Sequence, residues 1–370
     1  MFSSHRKVCI VGGGPAGLAA AIALRRENCD VTVLDCGVPP MDKACGEGLM
    51  PDSIAALSEL GIEIPSSVGF PFLGIRLADR RSSVFAEFPN GVAKGVRRTV
   101  LHELLFRHAI GQGVSVLWNA KQVRLATDGI SIDGCFIAAD LVVGADGQNS
   151  HIRRQASLNQ IKRETRRYGF RRHYRIRPWS SYMELHWGRR SQIYVTPIAE
   201  DEICVAVISR DPQLRLDQGL GDCPELTRRL RDAVAVSPEM GAVSVSRTLR
   251  CVERNSVVLI GDASGSVDAI TGEGMCLGFK QALALAAALK SGNLRCYRRL
   301  HQDLMKRPQA MASLMLALER NGQFRRRALA GLAQRPDVFK SLLAVHMGAS
   351  SFLDLCSWRL LGFGRAFLAA

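Results

Sequence analysis

Residues 257–282 read VVLIGDASGSVDAITGEGMCLGFKQA. Val257-Val258-Leu259-Ile260 is a short apolar, mostly β-branched run of the kind that forms a buried strand, and it ends on Gly261-Asp262. Thr271-Gly272-Glu273-Gly274-Met275 then opens an Ala/Leu-rich helix running to about Lys290, with Gly292 as its stop signal. A carboxylate at Asp262 can accept from two hydroxyl donors at once. The helix that follows presents the partial positive charge of its N-terminus to whatever lies beside it. Two further stretches, VCIVGGGPAGLAAAIAL at 8–24 and LVVGADG at 141–147, repeat the pattern of a strand running into a glycine loop.

The first of these can be read residue by residue. Val8 to Val11 is an apolar run, Gly12-Gly13-Gly14-Pro15-Ala16-Gly17 follows, and Leu18 to Leu24 starts a small-residue helix. Gly12 permits a tight turn, Gly14 lets backbone N–H groups approach a pyrophosphate, and Gly17 lets the helix lie close to the strand. Pro15 and Ala16 complete the turn at the helix N-terminus, a ready anion site. Asp35 closes a second apolar strand, Val31 to Leu34, where this type of fold places an acid on ribose hydroxyls. At this point FAD and NAD remain equal candidates.

The three loops, in this order and at these distances, resemble those of the flavoprotein monooxygenase and geranylgeranyl reductase superfamily, whose namesake hydroxylase acts on para-hydroxybenzoate. The resemblance covers most of residues 5–290 and implies FAD. In relatives, an aspartate at the position of Asp262 accepts from the ribityl chain, and the turn matching Gly272, Gly274 and Met275 lies beside flavin N1 and the C2 carbonyl. The dipole there favours the negative charge of a reduced ring. The Asp-Gly pair Asp146-Gly147 matches a motif that holds both FAD and the approaching nicotinamide nucleotide. Arg98 corresponds to an arginine opening a helix on the flavin side, and Val123, placed at the end of the strand around Val114 to Leu117, to a segment contacting the adenine. Cys45, in Lys43-Ala-Cys-Gly-Glu-Gly-Leu-Met-Pro51, resembles the cysteine of the geranylgeranyl reductase loop near the isoalloxazine. Relatives often carry a proline shortly before the glycine pair; here the stretch is Asp268-Ala-Ile-Thr-Gly-Glu-Gly, closer to the reductase-like branch.

The implied fold is α/β: a Rossmann-like FAD-binding domain from residues 1–68, 97–155 and 251–292, interleaved with an antiparallel-sheet substrate domain from 69–96 and 156–250. A helical C-terminal region spans 293–370, with Pro308 and Pro336 expected to break it. The chain has 370 residues, 47% apolar, enough for a sizeable core. Its eleven cysteines show no CxxC pair and no Cys/His cluster at zinc spacing, so a disulfide framework and a metal site are not expected. There is no apolar run long enough to span a bilayer, which suggests a cytoplasmic protein, or one peripheral at a membrane. The net charge of +15 comes with arginine clusters at 163–177 and 295–327. Without interleaved aromatics or a recognition motif these read as a solvated surface rather than a nucleic-acid site. NADPH, other anionic substrates or a lipid headgroup surface are the partners such charge would suit.

The expected function is oxidation by an NAD(P)H-dependent monooxygenase, through a flavin hydroperoxide, of an aromatic, polyketide-like or lipophilic small molecule. The arginines beside Asp146 tilt the donor toward NADPH over NADH. The alternative is a geranylgeranyl reductase-like reduction of isoprenoid or other alkene bonds, although the matching strand, Tyr194-Val-Thr-Pro197, lacks the tryptophan and phenylalanine of that tunnel motif. A second alternative is non-catalytic binding of the kind performed by Rab escort and GDP-dissociation-inhibitor proteins. Flavin halogenases are set aside because their tryptophan-x-tryptophan motif is missing. No catalytic base stands out: His102, His173, His186 and His301 lack spaced partners, and each reads as a surface or satisfied core residue. Tyr182 and Tyr194 alternate in a pattern that could aim both from the sheet toward the ring.

Overall fold

The computed structural model describes residues 6–351 and 353–355; the expected tail beyond 355 lies outside the described residues. Short apolar runs in the first, third and closing segments pair into one six-stranded sheet, ordered Glu253–Arg254, Val257–Leu259, Leu141–Gly144, Lys7–Val11, Asp30–Leu34, Ser115–Leu117. Val8 stands opposite both Leu141 and Val31, and Val142 opposite Val257. All pairs are parallel except the Glu253–Arg254 edge. Val8, Cys9, Ile10, Val31, Val33, Val142, Val143 and Val258 are buried, as a parallel sheet covered on both faces requires. The helices Pro15–Arg26, Arg98–Gly111 and Gly274–Lys290 supply much of that cover.

The three motif loops meet at one end of these strands, in van der Waals contact through small residues. A Cβ on Gly12, whose φ is +115°, would stand 2.3 Å from the Ala145 carbonyl oxygen, and one on Gly17 would stand 1.8 Å from the Gly12 oxygen. Ala16 fills the remaining gap: a Cβ on Gly261 or Gly278 would come within 2.8 and 3.0 Å of its methyl group. The first and third loops are thereby held together by the absence of side chains.

The eight-stranded second sheet runs Val234–Ala235, Ile161–Arg175, Glu202–Ser209, Ser191–Ala199, Tyr182–Trp187, Gly74–Ala78, Ser83–Glu87, with Met240–Leu249 also on Ile161–Arg175. It is antiparallel apart from one parallel pair, Tyr182–Trp187 with Gly74–Ala78. The intervening hundred or so residues run through the first sheet, so the long crossover a parallel pair needs is available. Alternation splits the sheet: Met183, Leu185 and Trp187 join Phe72, Tyr194, Ile270 and the tail residues Leu329, Phe339 and Leu343 in one apolar cluster. Glu184 and His186 face the other way.

The tail forms helices Arg295–Arg320, Gly322–Gln334 and Pro336–His346. Pro336 begins a helix, as a proline does at its first position. Pro308 does not break its helix, contrary to the sequence expectation: it lies buried within Arg295–Arg320, on a face anchored by Tyr297, His301, Met305 and Met311. That packing outweighs the lost backbone hydrogen bond. Among the described residues no helix is long and apolar enough to cross a membrane, and the cysteines are free.

The arginine cluster at 163–177 is not wholly solvated either. Arg167 and Arg171 are each 2% exposed. Arg167 pairs with Asp268 (Nε–Oδ1 2.5 Å) before the helix of the third loop and with Glu319 (Nη2–Oε2 2.6 Å) on the tail. One buried guanidinium therefore meets acids from two other segments, buried Asp268 and partly buried Glu319, which also pairs with Arg210. Arg167→Ala would leave buried Asp268 uncompensated, while Glu319 keeps Arg210 at 2.9 Å, and is expected to cost about 3–5 kcal/mol, read as a lower midpoint in denaturant unfolding with the slope unchanged.

A candidate flavin site where three loops converge

Each expected site residue has a definite place. In the first loop the Asp35 carboxylate closes the turn, accepting from Gly13 N–H at 2.6 Å and Gly37 N–H at 2.7 Å. Asp146 caps the short helix after the second loop: its Oδ2 accepts from His151 N–H (2.6 Å) and Ile152 N–H (3.2 Å), while its buried Oδ1 has no hydrogen-bond partner among the described residues. Asp262 lies at the third loop, half-buried, with Lys43 Nζ 3.1 Å from its Oδ2. Beyond it, Gly272 takes a left-handed φ of +69°, and Gly274 and Met275 open the 17-residue helix Gly274–Lys290. Arg98 begins its helix, and its backbone N–H donates to Glu47 Oε1 at 3.0 Å. Cys45 sits partly buried in the loop that carries Lys43 and Glu47, its carbonyl facing the Cys204 thiol at 3.6 Å. Val123 departs from expectation. The strand ends at Leu117, and Val123 lies beyond it, before the small Arg124–Ala126 strand, with its carbonyl accepting from Gln155 Nε2 at 3.2 Å.

The glycines separate into two kinds. Gly12, Gly13, Gly17 and Gly261 abut protein atoms, so a side chain there would collide with the fold. A Cβ on Gly14, Gly46, Gly147, Gly272 or Gly274 would meet nothing within 4 Å. Those open positions, drawn from all three loops and from the Cys45 loop, form a cradle suited to a long polyanionic cofactor. Together with the partnerless Asp146 Oδ1 and the exposed N-terminus of the 274–290 helix, they fit FAD. Asp262 faces this cradle with a carboxylate that already accepts from Lys43 Nζ.

Some participants were not visible as such in the sequence. Arg153 is buried and staples the second loop to the third, donating to the carbonyls of Gln148 (2.8 Å) and Ala263 (3.0 Å) and to Asn159 (3.0 Å). Its guanidinium is therefore occupied within the protein, whereas neighbouring Arg154 is exposed. His102, His173, His186 and His301 are all buried, and none is a surface residue. His102 Nε2 meets the Gly13 carbonyl at 2.9 Å, and His301 Nε2 the Ser264 hydroxyl at 2.9 Å. His173 Nε2 lies 2.7 Å from Glu47 Oε2, under the Cys45 loop. Glu47, His173 and Cys204 bring ligand-type atoms within 4.8 Å of one another. Arg171 Nη1 lies 3.0 Å from the other ring nitrogen, His173 Nδ1, so a guanidinium already stands beside this group. Tyr194 is directed at the third loop, its hydroxyl donating to the Ile270 carbonyl at 2.8 Å, whereas Tyr182 lies on the other face against Phe85.

A charged group also hides behind the cradle. Glu273, 2% exposed, sits between Gly272 and Gly274, with Arg307 Nη2 at 3.6 Å and His346 Nδ1 at 3.7 Å. Burial, aided by nearby Asp52, pushes its carboxyl from 4.5 up to about 7 against the pull of Arg307 and Lys280. Burial pushes His346 down to about 4. Below about pH 7 Glu273 is thus neutral, and the positive end of the 274–290 helix stays uncompensated.

Two sets of outcomes follow. Gly14→Val should fold with the Tm of the flavin-free parent yet purify without FAD, whereas Gly17→Val should lose stability by about 1–3 kcal/mol or more, and Asp262→Ala should fold and retain little flavin. The checks are the flavin-to-protein absorbance ratio and thermal unfolding. For Glu273 the folded pKa is raised, so its contribution is full below 4.5 and is lost as pH rises toward 7. Glu273→Gln should therefore gain on the order of 1–3 kcal/mol relative to the parent at pH about 8, with no gain near pH 4.5, in parallel denaturant titrations.

Comparison with known proteins agrees with this geometry. The chain matches the FAD binding domain family over residues 5–293. It is 27% identical to a menaquinone reductase of Mycobacterium tuberculosis, covering 78% of this chain and 77% of that protein. It is also 27% identical to the ubiquinone hydroxylase UbiL of Rhodospirillum rubrum, covering 76% and 72%. Among solved structures, the flavin-dependent brominase Bmp2 superposes with a TM-score of 0.78 over 99% of each chain, at 18% identity, a likeness of fold alone. With a match that spans most of its length and a cradle that fits the cofactor, the chain belongs to the FAD binding domain family and is an FAD-dependent oxidoreductase of small molecules.

Proposed function

We propose that this chain is an NAD(P)H-dependent flavin hydroxylase of an aromatic or quinone-like, lipophilic small molecule. The observation that carries this reading is an apolar cluster that reaches the third loop just before the 274–290 helix. Phe72, Met183, Leu185, Trp187 and Tyr194 from the second sheet and Ile270 from the third loop form one apolar cluster. The Tyr194 hydroxyl is already committed to the Ile270 carbonyl, and the charges of Arg167, Asp268, Glu319 and Arg210 pair with one another. A dry, aromatic surface suits such a substrate and keeps water from a reactive oxygen species. The names of several relatives, among them a ubiquinone hydroxylase and a 6-methylpretetramide 4-monooxygenase, support it.

In this reading residues 1–68, 97–155 and 251–292 hold FAD, while 69–96 and 156–250 shape the substrate side. Gly12, Gly14, Pro15, Ala16 and Gly17 take the pyrophosphate, Asp35 the ribose, Asp262 the ribityl chain, and Gly272, Gly274 and Met275 the pyrimidine edge of the ring. Arg98, Cys45, Val123 and Asp146 stand around them. The +15 charge and the exposed arginines 326 and 327 on the tail suit approach to an anionic membrane surface, where lipophilic quinones reside.

A second reading is reduction of an isoprenoid double bond, favoured by the Cys45-Gly46-Glu47-Gly48 loop and by the menaquinone reductase relatives. Incubation with NADPH, oxygen enriched in the heavy isotope and a panel of quinols and polyphenols separates the two. The hydroxylase should place one heavy oxygen atom in the product. A product that instead gains two hydrogens, formed equally well without oxygen, would overturn the hydroxylase reading in favour of the reductase.

A further inference from the structure

On the face of the second sheet turned away from the flavin cradle, three side chains line up in a relay. Glu184 and His186 are two residues apart on Tyr182–Trp187, hence on one face, and both are 2% exposed. Glu184 Oε2 holds His186 Nε2 at 2.7 Å. The other ring nitrogen, Nδ1, faces the Cys223 sulfur at 3.7 Å, within reach of a sulfur hydrogen bond. Cys223 comes from a separate segment, the turn before the Pro224–Arg229 helix, and is only partly buried. Arg76 fixes the acid, its Nη1 lying 3.2 Å from Glu184 Oε1 and 3.3 Å from Glu225. Arg229 pairs with Glu225 at 3.2 Å, and Arg80 donates to the Asp222 carbonyl beside the cysteine.

An acid orienting an imidazole that in turn faces a thiol is the arrangement that activates a cysteine. We propose that Cys223, His186 and Glu184 form a second reactive site, a thiol nucleophile whose substrate is a small hydroperoxide. It is independent of which reaction the flavin performs. Although burial works against charge on His186, the hydrogen bonds from Cys223 and Glu184 outweigh it and raise the ring to about 9. At neutral pH the ring therefore carries both protons and places a cation 3.7 Å from the Cys223 sulfur.

The step balances within these groups and one co-reactant, hydrogen peroxide, which any reduced flavin yields when oxygen reoxidises it without transfer to substrate. The thiolate attacks one peroxide oxygen; the S–O bond forms and the O–O bond breaks. The departing hydroxide takes the His186 proton and leaves as water. Sulfur is oxidised by two electrons to a sulfenic acid, peroxide is reduced by two, and an external dithiol returns the cysteine to its resting state.

The protein carries its own reference thiols, because Cys36, Cys135 and Cys296 are exposed and Cys223 is not fully so. Accessibility alone ranks those three ahead of Cys223. At pH about 6.5 an ordinary thiol is only roughly 1% ionised. With limiting iodoacetamide at that pH, and per-cysteine readout by mass spectrometry on the holoenzyme, Cys223 should be labelled at least about tenfold faster than the other three. His186→Gln should bring its rate to theirs or lower while leaving the three reference rates unchanged, which also reports that the fold is intact. Hydrogen peroxide followed by dimedone should tag Cys223 in the parent and not in Cys223→Ser. A Cys223 that alkylates no faster than the exposed cysteines in the parent protein, or a sulfenic adduct equally distributed over them, would overturn the proposal.

Discussion

Everything at the functional end of this molecule depends on how closely backbone can approach backbone where the first and third loops touch. Ala16 fits against Gly261 and Gly278 with no room for another methyl group, and Gly17 and Gly12 leave none between helix and strand. Those contacts bring together two segments nearly 250 residues apart in sequence, and with them two helix N-termini. The second loop joins through Gly12 against Ala145 and through Arg153, whose guanidinium bridges the carbonyls of Gln148 and Ala263. Because protein atoms already fill the tight positions, the remaining glycines are left facing open space, and the cradle is what remains between them.

Charge is arranged around that junction with the same economy. Arg167 pairs with both Asp268 and Glu319, so that the third loop, the second sheet and the tail are tied by one buried guanidinium. Glu273 sits at the start of the 274–290 helix, beside the open glycines of the cradle, yet burial keeps it protonated to about pH 7. The tail does more than pack: it brings Arg307 and His346 against Glu273 and completes the apolar cluster of the second sheet with Leu329, Phe339 and Leu343.

Much of this was legible in the chain because glycine loops are local. The strand, turn and helix around Gly12–Gly17, and the helix opening at Gly274, follow from steric requirements that a few adjacent residues satisfy or fail. What escaped was non-local. The alternation in 161–175 shows which arginines share a face, but nothing nearby in sequence shows that Asp268 and Glu319 wait for Arg167. His173 and His186 appeared solitary because their acids come from across the fold or from a neighbouring strand position easily read as surface. Pro308 looked like a helix break because propensity is local and the packing that overrides it is not. Val123 was assigned to a strand that ends at Leu117, the usual uncertainty at element boundaries.

The central claim is that the converging loops form one site for FAD rather than for a nicotinamide nucleotide. Titration of the flavin-free protein with FAD, followed by quenching of flavin fluorescence and competed with excess NAD, tests it most directly. The account predicts tight binding at one FAD per chain, undisturbed by NAD. Weak or non-stoichiometric FAD binding that NAD displaces would contradict it.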